Sequence, residues 1–177
     1  YITVHAFTGP LSLLEAVATA HEYGCKVLTL PFMTHRGAGI FFKMPVDKNH
    51  LSESLKEVGM SDMISEAENC SNITEAIISI AEKIGVDGYI GPGNDPNMLK
   101  IMRNFTKREI WCPGFGRQSK FEMNLKDQFL AWAEAAGTPS RAIVGSLIYT
   151  ASDPAATARK IKEDLDNAVR KASCQKN

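Results

Sequence analysis

No excess of charge of either sign marks this sequence, whose 20 Lys and Arg balance its 20 Asp and Glu. A protein that grips nucleic-acid backbones needs a basic surplus, so that class is disfavoured and no nucleic-acid partner is expected. Net charge does not exclude a local pocket for one small anion. No apolar run approaches the roughly 20 residues of a membrane-spanning helix. The opening Tyr1-Ile2-Thr3-Val4-His5 has neither the basic start nor the apolar core of a signal peptide, so no membrane partner is expected. Cys25, Cys70, Cys112 and Cys174 form no Cys-x-x-Cys pair. There is also no His-x-x-x-His and no carboxylate cluster at ligand spacing. Reduced thiols, a cytoplasmic location and no metal are therefore expected. The Asn-x-Thr triplets at Asn72 and Asn104 would accept glycans only in a secreted protein.

What is present is a globular composition. With 177 residues and 44% hydrophobic content, the chain is long enough for one domain with a sizeable core. Short apolar runs alternate with helical patterns. Strands are expected at Ile2 to His5, Cys25 to Leu30, Val86 to Gly91, Ile110 to Cys112 and Arg141 to Val144. Helices are expected between and after them, with buried stripes Leu11/Leu14/Ala18, Ile73/Ile77/Ile80/Ala81/Ile84, Met98/Ile101/Met102/Phe105, Leu125/Phe129/Trp132/Ala133/Ala136 and Ile161/Leu165/Ala168. Asn72-Ile73-Thr74-Glu75 has the form of a capping box, and Asp95-Pro96 and Asp153-Pro154 open later helices. Residues 41–70 are mixed and too long for an ordinary connection, so they are expected to form a lid or excursion, with Met44, Met60 and Met63 filling gaps. The tail from Ser173 is expected to fray.

This βα alternation predicts an α/β protein with a parallel sheet covered by helices. Periodicity leaves open whether the sheet is doubly wound or part of a (β/α)8 barrel. In both, ligands bind at the carboxyl ends of the strands. The loops there span 6–10, 31–39, 91–94, 113–120 and 145–153. Pro113-Gly114-Phe115-Gly116-Arg117-Gln118 brings backbone amides and two polar side chains toward one place, and Gly145-Ser146 exposes further N–H groups. Tight turns are the alternative role for these glycines. No Ser–His–Asp or Cys–His arrangement is evident. His5 and His35 sit at strand ends, where acid–base, ligand and structural roles are all open.

Four motifs occur in order: Val4-His5-Ala6-Phe7-Thr8-Gly9, Met33-Thr34-His35-Arg36-Gly37-Ala38, Pro113-Gly114-Phe115-Gly116-Arg117-Gln118 and Val144-Gly145-Ser146-Leu147-Ile148-Tyr149. Together they resemble the five C-terminal strand–helix units of archaeal-type orotidine 5′-phosphate decarboxylases. The resemblance runs from Tyr1 to about Ala168 and is weakest over residues 41–70. It implies a (β/α)8 TIM barrel of which this chain holds strands 4–8, usually a homodimer, that converts orotidine 5′-monophosphate to UMP without a cofactor. By resemblance, Thr34 contacts the pyrimidine, Pro113 begins a phosphate-gripping loop and Gln118 links phosphate to base. Gly145 and Ser146 would hold phosphate through their amides.

Two departures from the family pattern stand out. The family's catalytic Asp-x-Lys-x-x-Asp motif, which stabilises charge electrostatically, is absent, so no catalytic residue is assigned within these 177 residues. Tyr1 falls on what would be the fourth strand. The family's phosphate-binding Arg is replaced by Ser146, which cannot form a bidentate cationic contact. Arg117, beside Gln118, is a candidate substitute. Two other functions are compatible with the sequence: a Mg²⁺-dependent phosphosugar lyase of the same suprafamily, such as a hexulose-phosphate synthase, and a non-catalytic nucleotide- or phosphate-binding protein.

Overall fold

The structure is a computed structural model and describes residues 1–33, 37–116 and 123–174. Among these described residues the sheet has five strands, β1 (Ile2–His5), β2 (Val27–Leu30), β3 (Gly88–Ile90), β4 (Glu109–Cys112) and β5 (Ser140–Ala142). All neighbours are parallel, and the spatial order is β1-β2-β3-β4-β5. A doubly wound sheet reverses direction at a switch point. This one never does, so each unit steps the same way, as in a sector of a barrel.

The helices are α1 (Pro10–Glu22), α2 (Gly39–Phe42), α3 (Lys48–Glu57), α4 (Ile64–Ala67), α5 (Ile73–Ile84), α6 (Pro96–Phe105), α7 (Leu125–Ala136), α8 (Ser146–Tyr149) and α9 (Pro154–Cys174). Their ends follow local chemistry. Asn72 Oδ1 accepts the Glu75 N–H at 3.1 Å, while the Glu75 carboxylate accepts the Ser71 N–H at 2.7 Å. Gly85, at φ +95°, closes α5 in a conformation that a side chain would oppose. Asp95 caps α6 through the Met98 N–H, with Pro96 in the first turn.

Strand alternation separates two faces. Thr29, Tyr89 and Ile110 share one row of the register and face the helices, where the Tyr89 hydroxyl donates to the Glu82 carboxylate at 2.7 Å. Burial, together with Glu82, pushes the Tyr89 phenol well above its ordinary range, so it stays a proton donor. This layer forms the core with Val17, Ile78, Leu99, Met102, Phe129 and Trp132.

Two expected stripes change. On α1 the buried face is Leu13, Val17 and Ala20, whereas Leu11 and Leu14 are exposed. The several leucines allow two helical phases, and packing on the sheet selects the second. On α5, Thr74, Ala76, Ile78 and Ser79 are buried along with Ile80 and Ala81, whereas Ile73, Ile77 and Ile84 are half-buried; residues of the 41–70 stretch pack on its outer side. Leu55, Met60, Met63 and Ala67 pack there against Ile80 in a satellite core. Met44 lies outside it and is exposed. The last helix continues through Cys174, past the expected start of fraying.

The other face of the sheet is held by a charged aromatic cluster. The Tyr1 and Trp111 ring centroids are 4.8 Å apart, although β2 and β3 separate their strands. Three strand spacings in a flat sheet would be about 14 Å. The contact therefore requires the sheet to curl toward this face. Arg141 lies 5.4 Å above the Trp111 ring and pairs with Glu109 at 2.8 Å, while Glu109 also accepts the Trp111 indole N–H at 3.0 Å. The Arg141 hydrogen bond holds the Glu109 carboxyl below the usual carboxylate range. Beneath the curl, a Cβ on Gly88 would lie 2.6 Å from the Glu109 carbonyl oxygen and 3.0 Å from Leu28 Cδ2. Gly88→Ala is expected to cost roughly 1–3 kcal/mol in urea unfolding. Gly39→Ala, which meets only the Lys43 side chain at 3.7 Å or beyond, should be neutral or stabilising by up to about 1 kcal/mol. Equal effects of the two would contradict the tight curl.

Candidate functional site

The chain-order parallel sheet places the carboxyl ends of all five strands on one rim. A cavity of about 100 Å³ opens there between β2, β3 and β4, lined by Leu30, Met33, Ile90, Gly91, Pro92 and Pro113. Leu30 and Ile90 are the last residues of their strands.

Close backbone packing shapes the loops around it. The Gly91 N–H donates to the Trp111 carbonyl at 2.9 Å, extending the β3–β4 ladder onto the rim. The Gly93 N–H donates to the Pro113 carbonyl at 2.8 Å, and a Cβ on Gly93 would lie 2.8 Å from that oxygen. The loop after β4 is anchored by Phe115, buried against Phe129 and Trp132 with ring centroids 5.1 and 5.9 Å away. The Gly116 N–H donates to Gln128 Oε1 at 3.1 Å. Gly116 adopts φ +80°, and a Cβ there would lie 2.8 Å from Leu147. This approach joins the Pro113 loop to the Gly145–Ser146 turn, where Gly145 is exposed and Ser146 begins α8.

Of the expected site residues, Pro113, Gly145 and Ser146 lie on this rim; Thr34, Arg117 and Gln118 lie outside the described residues, as does His35. His5 ends β1, with its Nδ1 accepting the Phe7 N–H at 3.1 Å and its Nε2 3.2 Å from Met33 Sδ. Met33 was named only as the start of the Met33–Ala38 motif, and sequence reasoning did not single out Leu30 and Ile90 as wall residues. Their signal was the apolar end of each strand, which core packing explains equally well.

Other reactive groups sit elsewhere. Burial pushes the Cys112 thiol up to about 12, and it belongs to the helix-facing core, so it is no thiolate nucleophile. All four cysteines are free. His21 pairs with Asp87 at 2.8 Å at the opposite, amino end of the strands. Among the described residues no three His, Cys, Asp or Glu side chains come together as a metal site, and no helix is long and apolar enough to cross a membrane.

Consecutive parallel βα units with glycine-rich loops on one rim define a part of a (β/α)8 barrel, a fold in which ligands generally bind at the carboxyl ends of the strands. The sequence model described as "Orotidine 5'-phosphate decarboxylase / HUMPS family" matches residues 1–161, and the chain belongs to that family. An orotidine 5′-phosphate decarboxylase of Thermoplasma acidophilum is 30% identical over 168 residues, 95% of this chain and 60% of the relative. One from Methanococcoides burtonii is 26% identical over 93% of this chain and, again, 60% of its own length. The orotidine 5′-monophosphate decarboxylase of Methanocaldococcus jannaschii, solved with the inhibitor BMP, superposes with a TM-score of 0.63 at 25% identity, covering 93% of this chain and 60% of that one. The chain thus spans about 60% of the length of these relatives.

The Gly116–Leu147 approach gives a direct check. Gly116→Ala combines a left-handed backbone with a steric overlap, so about 1–3 kcal/mol of destabilisation is expected. It should also shift the amide resonances of Leu147–Tyr149. Unshifted resonances would contradict the packing of the two loops.

Proposed function

We propose that this chain forms the substrate-holding part of an orotidine 5′-phosphate decarboxylase, which converts orotidine 5′-monophosphate to UMP in pyrimidine biosynthesis. The observation that carries this reading is the joining of the Pro113 loop to the Gly145–Ser146 turn beside an apolar cavity. Two amide-rich turns suit a phosphate, and the adjacent cavity suits a flat pyrimidine. In this reading Pro113 begins the gripping loop, Gly145 and Ser146 hold the phosphate, Gln118 links phosphate to base and Thr34 contacts the ring. Arg117 supplies the cation that Ser146 cannot.

The reaction breaks the bond between a ring carbon and its carboxylate. CO₂ departs, the electron pair stays on the ring carbon, and a proton replaces the lost group. Leu30, Met33 and Ile90 form an apolar wall that excludes water, where charged groups act more strongly than they would in solvent. The acid–lysine set that stabilises the developing charge would come from outside these 177 residues, and no cofactor is required. Phosphate held away from the reacting carbon supplies binding energy that orients the ring.

The protein is further read as a cytoplasmic homodimer. Phe7, Leu11, Ile40 and Phe41 leave an apolar patch exposed, Phe41 by 57% and Ile40 by 70%. This patch borders a groove between α1 and α5 lined by Phe7, Leu13, Leu51 and Ile77. A patch of this kind suits a second copy. Phe41→Asp should shift the protein from dimer to monomer in sedimentation, and an unchanged dimer would place the interface elsewhere.

The test of function uses the polypeptide as its gene encodes it. Loss of orotidine monophosphate absorbance, undiminished by EDTA, is the expected outcome. Turnover abolished by EDTA would indicate a metal-dependent phosphosugar lyase-like enzyme, and UMP binding without turnover would reduce the protein to a nucleotide binder.

A further inference from the structure

His5 has more constraints than a strand-end histidine needs. Its Nδ1 accepts the Phe7 N–H at 3.1 Å, so that nitrogen carries no proton and the ring proton resides on Nε2. Its backbone carbonyl accepts the Thr8 hydroxyl at 3.2 Å. Phe7 and Phe42 flank the ring, each with its centroid 6.2 Å away. Among the described residues, the Nε2–H meets Met33 Sδ at 3.2 Å. Met33 lines the rim cavity together with Ile90 and Pro113.

Methionine has three rotatable bonds and ordinarily adapts to whatever it touches. A thioether is a weak acceptor, yet a donor locked in place by two other contacts can select one rotamer. We propose that His5 is a positioning residue, which fixes Met33 as a pre-set wall of the ligand cavity. The inference rests on the nucleotide reading for its ligand, but its geometry involves only His5, Phe7 and Met33. A base that packs on a wall already ordered loses less side-chain freedom on binding. One immobilised side chain corresponds to about three- to tenfold in Kd.

The experiment separates this role from a merely structural one. In the full-length protein, His5→Asn keeps an acceptor for the Phe7 N–H but cannot reach Met33. Met33→Leu conserves volume and removes the sulfur. Each substitution should weaken UMP binding about three- to tenfold in calorimetry, and the double variant should be no weaker than either single one. The melting temperature of His5→Asn should stay within about 2 °C of the parent, because the Phe7 contact survives. Unchanged UMP affinity in either variant, or fully additive losses, would overturn the proposal. If the parent itself binds no UMP, the nucleotide reading fails, and the Met33 methyl resonance still decides the positioning role. That resonance should broaden or shift in His5→Asn, and an unchanged signal would overturn it.

Discussion

The contact of Tyr1 with Trp111 across the inner face of the sheet sets the shape on which everything else depends. Two strands lie between theirs, so the rings meet at 4.8 Å only if the sheet curls. Glu109 and Arg141 fix the indole from its edge and its face, and Gly88 leaves room for the neighbouring backbone beneath. The exposed ion pair adds little by itself. Its value is orientation, since the same carboxylate holds both the guanidinium and the indole. The curvature expected of a barrel is thus built into five strands through side chains on the inner face of the sheet.

The same curl governs the carboxyl rim. Strands that converge on an inner face bring their carboxyl-end loops together, and glycine permits the closest approaches. Gly93 admits Pro113 and Phe115, and Gly116 admits Leu147. Those two contacts hold the loops after β3, β4 and β5 together on the rim, beside the small apolar cavity between β2, β3 and β4. The reactive groups elsewhere in the chain are used structurally: Asp87 accepts the Val27 N–H and His21, and Arg103 donates to the carbonyls of Ala136, Arg108 and Pro139. Burial tends to raise the Asp87 carboxyl, yet those hydrogen bonds leave it below its ordinary range. Its contribution to stability is therefore present above the unfolded carboxylate pKa and is lost as pH falls through the lower folded value.

Much of this was legible in the residues. Strand positions followed from short apolar runs: β1 matches its expected span and β4 begins one residue earlier at Glu109, whereas β2 starts only at Val27, β3 is three residues and β5 ends at Ala142. Caps at Asn72 and Asp95 were readable because their chemistry is local. The α1 face was misread, since Leu11 and Leu14 offer a plausible stripe that only tertiary packing rejects. The choice of barrel over doubly wound sheet was not available from periodicity, because strand order is a long-range property. Four ordered motifs supplied it by resemblance. The cavity wall was illegible for a related reason: Leu30 and Ile90 look like any strand end until β2, β3 and β4 are set side by side. The Tyr1–Trp111 contact joins residues 110 positions apart, and nothing local announces it.

The central claim is that the ligand site is the carboxyl rim, with phosphate at the Pro113 and Gly145–Ser146 turns and base against the cavity. Backbone amide NMR with UMP titrated into the isotopically labelled protein tests it most directly. The account predicts shifts concentrated at Gly91, Gly93, Gly114, Gly145, Ser146 and Met33. Shifts concentrated instead along the groove between α1 and α5, or at the amino ends of the strands, would contradict it.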